Sequence, residues 1–141
     1  MCSSDLPGTA LDQAMVYLAR TGAARIDGFV CLESRSGANV ADAFARRNIT
    51  DRVLIAMDVD TDTLRRVGDG TIDSTIAQKP YTMAFLGLKA LDEVHHYPVK
   101  PLGEDYFLDP SSPFPAFVDT GVALIDKTNL DPLLRQRTGG Q

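Results

Sequence analysis

Three polar side chains stand where short apolar runs stop: Glu33 after Phe29-Val30-Cys31-Leu32, Asp58 after Val53-Leu54-Ile55-Ala56-Met57, and Gln78 after Ser74-Thr75-Ile76-Ala77. Runs of this length and type read as strands buried on both faces. In open α/β sheets ligands bind outside the carboxyl ends of the strands, so polar groups there can converge on one crevice. Carboxylates accept hydrogen bonds, and a primary amide both donates and accepts in a fixed plane. That set suits the hydroxyls of a sugar or polyol better than it suits bond cleavage. The plainer reading is that strand ends are where the chain returns to water. Three such residues at corresponding places tilt the balance toward a site.

Other chemistries fit less well. Asp58-Val59-Asp60-Thr61-Asp62 has the acidic spacing of a calcium loop, but Thr63 stands where the turn needs glycine and Asp69 where a bidentate glutamate would close it. Asp58 could also act as a carboxylate nucleophile of a phosphatase-like enzyme. The threonine such a motif needs is not in register, and Gly68-Asp69 with Asp73 follows too soon to leave room for the intervening core. Lys79, the basic residue that enzyme would require, precedes a proline at a helix start. His95 and His96 are adjacent, so they face different sides of a helix and cannot share a metal as an i, i+4 pair would. A formal charge of −5 with scattered basic residues argues against binding a nucleic-acid backbone. Of the two cysteines, Cys31 lies in an apolar run and reads as a small buried hydrophobe.

The elements that must hold the three residues follow from periodicity. Leu11, Ala14, Met15 and Leu18 recur at helical spacing, and Thr21-Gly22 would close that helix. Ser36-Gly37 would lead into a helix with Val40, Ala41, Phe44 and Ala45 on one face. Thr61 could cap a short helix carrying Leu64 and Val67 that ends at Gly68-Asp69-Gly70. Pro80 opens a longer helix, where its missing amide hydrogen costs nothing. Tyr81, Met83, Phe85, Leu86, Leu88 and Leu91 leave that helix apolar nearly all round, which predicts packing on more than one side. A Pro- and Gly-rich stretch follows over 96–115, then an extended segment around Phe117-Val118 and Val122-Ala123-Leu124-Ile125. Asn129 could cap a last short helix. Strand alternating with helix predicts an α/β, doubly wound parallel sheet.

On these residues the sequence resembles a known family. Ala56-Met57-Asp58, then Gly70-Thr71-Ile72-Asp73-Ser74-Thr75-Ile76-Ala77-Gln78-Lys79-Pro80-Tyr81, is similar to the periplasmic sugar-binding proteins of the ribose-binding type. Val118-Asp119-Thr120-Gly121-Val122, with Lys127 and Asn129, resembles that family's last strand and its sequel. The resemblance runs from about Leu11 to the end, and its most specific part is the Gln-x-Pro segment. It implies the second lobe of a type I periplasmic-binding-protein-like fold with part of the first lobe. It implies that Asp58 and Gln78 hydrogen-bond a sugar, with Gln78 at the interlobe hinge. Glu33 falls where the family usually has Asn or another short polar residue. The implied function is the substrate-binding component of an ABC-type sugar importer, binding a monosaccharide or related polyol in an interlobe cleft. The partners implied are the sugar and the transporter's permease. No enzyme activity, cofactor, metal or nucleic acid is expected, and the full-length protein would be a monomer.

The resemblance divides the chain. Residues 7–79 are expected to form the carboxy-terminal lobe, 80–115 a helix and loop of a mostly missing first lobe, and 116–141 a return segment and tail. Residues 1–6, Met-Cys-Ser-Ser-Asp-Leu, back-translate to the end of a common sequencing adapter and are expected to be an assembly scar. On that reading a signal peptide was lost with the upstream part, and the location is periplasmic or otherwise extracytoplasmic. The nearest alternative is the effector-binding domain of a lactose-repressor-type regulator, which shares the fold. The phosphatase-like enzyme is the lesser one.

Overall fold

The computed structural model describes residues 10–97, 115 and 117–132. In chain order it contains α1 (Ala10–Leu18), a 3-10 turn (Gly22–Ala24), β1 (Gly28–Val30), α2 (Ser34–Arg46), β2 (Val53–Met57), α3 (Thr61–Asp69), β3 (Ser74–Gln78), α4 (Pro80–His96) and β4 (Val122–Ile125). The strands form one sheet in the order β1-β2-β3-β4. β1 and β2 are parallel, as are β2 and β3, with Phe29 beside Leu54 and Ala56 beside Thr75. The predicted α/β architecture with a parallel sheet is the one found. By contact density the chain divides into two compact units, Met1–Ala77 with Ala123–Gln141, and Gln78–Val122.

In the first unit the sheet grows in one direction. Right-handed crossovers advancing one place at a time put α2 and α3 on the same face, and the two helices touch. Alternation along β2 decides what lies beneath them: Leu54 and Ala56 are fully buried, whereas Val53 is half exposed. Val40, Ala41, Ala43 and Phe44 of α2 and Leu64 and Val67 of α3 complete this core with Ile72. Phe29 meets Phe44 edge to face, ring centres 5.5 Å apart. Gly37 lets α2 come very close to β2; a β-carbon there would lie 2.7 Å from the Ala56 methyl. α1 packs on α2 through buried Ala14 and Leu18.

An ion pair ties the two crossover helices together. Arg66 of α3 reaches Asp42 of α2 at 2.9 Å and Asp62 of its own helix at 2.8 Å. The Arg66 side chain is only 15% exposed, so it is screened less than a surface pair.

Some local expectations are corrected. α3 is capped by Asp60, not Thr61: its Oδ1 accepts from the amides of Asp62 and Thr63, and its Oδ2 from the Thr63 hydroxyl at 2.6 Å. Gly22 does have a positive φ, +62°, but α1 has already ended at Leu18, and Gly22 begins the 3-10 turn. As expected, a helix begins at Leu130 directly after Asn129, whose Oδ1 accepts from the Asp126 amide and whose Nδ2 donates to the Leu124 carbonyl, stapling the turn after β4. Phe117 and Val118 lie outside any strand, and the final strand is confined to β4. The stretch predicted as irregular over 96–115 falls almost wholly outside the described residues, as does the tail beyond 132.

The second unit holds α4. None of its residues is buried: Tyr81 is 83% exposed and Leu88 67%. The Tyr81 and Phe85 rings stack nearly parallel, centres 6.4 Å apart. Such an exposed apolar surface on a helix is a candidate docking face. No described helix is long and apolar enough to cross a membrane.

Candidate functional site

Asp58 is the first residue past β2, and its backbone is unusual. Its φ is +72°, one of two positive values among described non-glycine residues. L-residues avoid this region because the β-carbon crowds the following carbonyl, at a cost of roughly 1–2 kcal/mol; Asp tolerates it better than most. Two hydrogen bonds meet its backbone on either side. The Asp58 amide donates to the Ile76 carbonyl at 2.9 Å, extending the β2–β3 ladder by one rung. The Asp58 carbonyl accepts from the hydroxyl of Thr75, which is fully buried, at 2.7 Å. The chain therefore turns sharply at the carboxyl end of β2. Residues held this way cluster at ligand-binding positions.

Gln78 is the last residue of β3, two beyond Ile76, which pairs with Met57. It is half-buried and precedes Lys79 and Pro80, where α4 begins with proline in its first turn. β2 and β3 are hydrogen-bonded neighbours, so the two expected ligand-binding residues terminate adjacent parallel strands.

Glu33 has a different place. β1 stops at Val30, and pairing continues only through the Cys31 amide, which donates to Ile55. Leu32 is exposed, and Glu33 is the N-cap of α2. Its Oε1 accepts from the Arg35 amide at 3.2 Å and its Oε2 from the Ser36 hydroxyl at 2.8 Å. The hydroxyl of Ser36, then the Arg35 amide, hold the Glu33 carboxyl below the usual glutamate range. Both oxygens thus have helix-capping work at the start of α2.

The acidic residues that follow Asp58 in α3 and its cap are committed to structure. Asp60 caps α3, Asp62 pairs with Arg65 and Arg66, and Asp69 accepts from the Thr71 hydroxyl and amide and pairs with Arg65. Among the described residues no group of three or more His, Cys, Asp or Glu could hold a metal ion. Asp73, which the phosphatase-like reading would join to Asp58, accepts from the Leu54 amide at 2.7 Å. It precedes β3, and so lies at the amino ends of the strands, opposite Asp58. A cavity of about 470 Å³ opens at that same far end, lined by Phe44, Asn48, Arg52, Asp69 and Asp73 and by none of the three strand-end residues.

Reading strand ends did not reveal Thr75 or Asp60. Thr75 reads as an ordinary β-branched strand residue, and its hydroxyl matters only because Asp58 turns its carbonyl toward it. The Asp60-x-x-Thr63 spacing was a legible signal for the cap, since an N-cap acceptor serves the third helical residue.

A parallel α/β sheet with polar residues at its carboxyl ends defines the class of ligand-binding domains with an open-sheet crevice. The chain belongs to the periplasmic binding protein domain family, whose profile matches residues 2–95. Three solved structures illustrate the likeness. An arabinose-binding protein from Geobacillus stearothermophilus is 28% identical with a TM-score of 0.63, over 87% of this chain and 40% of that one. A sugar-binding protein of a sugar ABC transporter from Bacillus halodurans is 27% identical with a TM-score of 0.62, over 87% of this chain and 41% of that one. An ABC transporter solute-binding protein from Agrobacterium vitis with bound D-fucose is 25% identical with a TM-score of 0.63, over 90% of this chain and 39% of that one. The chain therefore spans about two fifths of these relatives' length. No curated protein sequence matches it.

Proposed function

We propose that this chain is the carboxy-terminal part of the substrate-binding component of an ABC-type sugar importer, acting outside the cytoplasm. The observation that carries the reading is Asp58, turned at positive φ past the end of β2, with Gln78 ending the neighbouring strand in the same sheet. Each offers polar atoms suited to a sugar hydroxyl. Membership of a binding-protein family and likeness to arabinose- and other sugar-binding carriers support it. Residues 7–79 belong on this reading to the carboxy-terminal lobe, 80–115 to the first lobe, and 116–141 to the return. The bare apolar surface of α4 is then the seat of first-lobe polypeptide that lies upstream. Binding works by population shift: a sugar touching both lobes favours the closed form by its differential affinity, and the closed monomer docks on the permease. No cofactor, metal or nucleic acid takes part.

The test begins with the upstream coding sequence. A secretion signal there fits a carrier, whereas a helix-turn-helix would make the protein a repressor-type regulator. The complete protein is then heated with arabinose, D-fucose, galactose, glucose and ribose in turn. A ligand at a hundred times its Kd should stabilise the native state by about 2.7 kcal/mol. Asp58→Asn should diminish that gain without removing it. Stabilisation by none of the sugars, or stabilisation that survives the substitution undiminished, would remove the proposal.

A further inference from the structure

The turn at Asp58 has to be held against its own cost, and one buried side chain is placed to hold it. Thr75 is fully buried in β3, registered beside Ala56, two residues before Asp58. Its hydroxyl lies 2.7 Å from the Asp58 carbonyl oxygen. A buried hydroxyl without a partner is costly, so this bond binds Thr75 and Asp58 to one geometry. The Asp58 amide is anchored to the next residue, since it donates to Ile76. Both peptide groups of Asp58 are therefore bonded to consecutive residues of the neighbouring strand, on either side of a φ of +72°. Freed from these bonds, Asp58 would relax toward the extended region that L-residues prefer, and its carboxylate would swing with the backbone.

We infer that Thr75 is a positioning residue: its hydroxyl holds the Asp58 backbone in the left-handed region and so aims the Asp58 carboxylate at the ligand. The inference rests on the reading of Asp58 as a sugar contact. A valine can replace the threonine in shape but lacks the hydroxyl, and a serine keeps the hydroxyl while losing the methyl.

The experiment uses the complete protein with Thr75→Val, Thr75→Ser and Asp58→Asn, and has two arms. The first needs no ligand. Crystal structures or backbone couplings of the variants report φ at residue 58, expected positive in the parent and Thr75→Ser and extended in Thr75→Val. A positive φ retained in Thr75→Val overturns the inference whatever the sugar results. The second arm titrates arabinose and D-fucose calorimetrically. Thr75→Val should bind roughly tenfold more weakly, the effect of losing about one hydrogen bond's worth of positioning, and Thr75→Ser should stay within about threefold of the parent. In the Asp58→Asn background Thr75→Val should cost nothing further, because the group it aims is already disabled; a general packing defect would still weaken binding there. If Asp58→Asn binds both sugars as the parent does, Asp58 is no contact and the functional reading falls. The φ measurement then still decides what Thr75 holds.

Discussion

Gly37→Ala tests how closely the crossover helix sits on the sheet. The added methyl would lie 2.7 Å from the Ala56 β-carbon, 3.6 Å from its α-carbon and 3.9 Å from the Ile72 δ-carbon. Carbon atoms rest at about 3.5–4.0 Å, so the helix must withdraw by about 1 Å or the strand must bend. Neither colliding methyl has a rotamer through which to escape. Overpacking of this kind costs about 1–3 kcal/mol, and the absence of any rotamer places this case near the upper end. Against it stands about 1 kcal/mol gained by replacing glycine with alanine inside a helix. The net expectation is a loss of about 2 kcal/mol, read from urea unfolding at unchanged slope. Ala56→Gly removes the opposing methyl, so the double variant should be more stable than the two single losses add up to, by more than about 1 kcal/mol. If Gly37→Ala unfolds at the parent's midpoint or above it, propensity alone has acted and the close approach is refuted.

Removing the α3 cap with Asp60→Ala should cost about 1–2 kcal/mol in the same assay, because two amides and the Thr63 hydroxyl lose their acceptor; a neutral result would show that water replaces it freely. Acid should destabilise the fold. The Glu33 carboxyl is lowered by Ser36, Asp62 by Arg65, and Asp69 by the Thr71 hydroxyl. At Asp60 burial pushes upward, but the Thr63 hydroxyl and the helix amides outweigh it and the net direction is down. A depressed folded value means the contribution is fully present above the ordinary carboxylate range and vanishes as pH falls through the folded values. Thermal midpoints should therefore drop as pH falls below the ordinary carboxylate range of about 4, and a flat profile there would contradict the capping geometry. Burial, then the nearby Glu33 charge, push the Cys31 thiol up to about 11. In a Cys2→Ser variant, iodoacetamide at about pH 8 should label Cys31 only after urea is added, and rapid native labelling would show that β1 opens readily.

How much of this was legible depended on the kind of signal. β2 was readable residue for residue, since a continuous apolar run between polar neighbours has few other meanings, and its bounds Val53–Met57 match the run. β1 is shorter than its run suggested, because Leu32 already belongs to the turn that lets Glu33 reach over α2. Apolarity marks burial or the wish for it, and cannot say where the backbone stops being extended. The same limit moved the α3 cap from Thr61 to Asp60: both residues are good caps, and a single backbone angle chooses between them. At the candidate site, the positions of Asp58 and Gln78 at strand ends were readable from pattern. The positive φ of Asp58 and the hydroxyl that holds it were not, because they arise from a cross-strand contact between residues 17 apart.

The sheet's order, in which each strand is laid beside its predecessor, has a consequence for how it assembles and comes apart. Residues 58–73 link β2 to β3, but 79–121 must be crossed before β4 can join. Closing the longer loop costs about 0.9 kcal/mol more by the logarithmic law for chain closure. β4 is then the last strand to arrive, with only Ile125 buried among its four residues. Amide hydrogens of Val122–Ile125 should exchange with deuterium well before those of β2, through partial openings in which the first three strands stay intact.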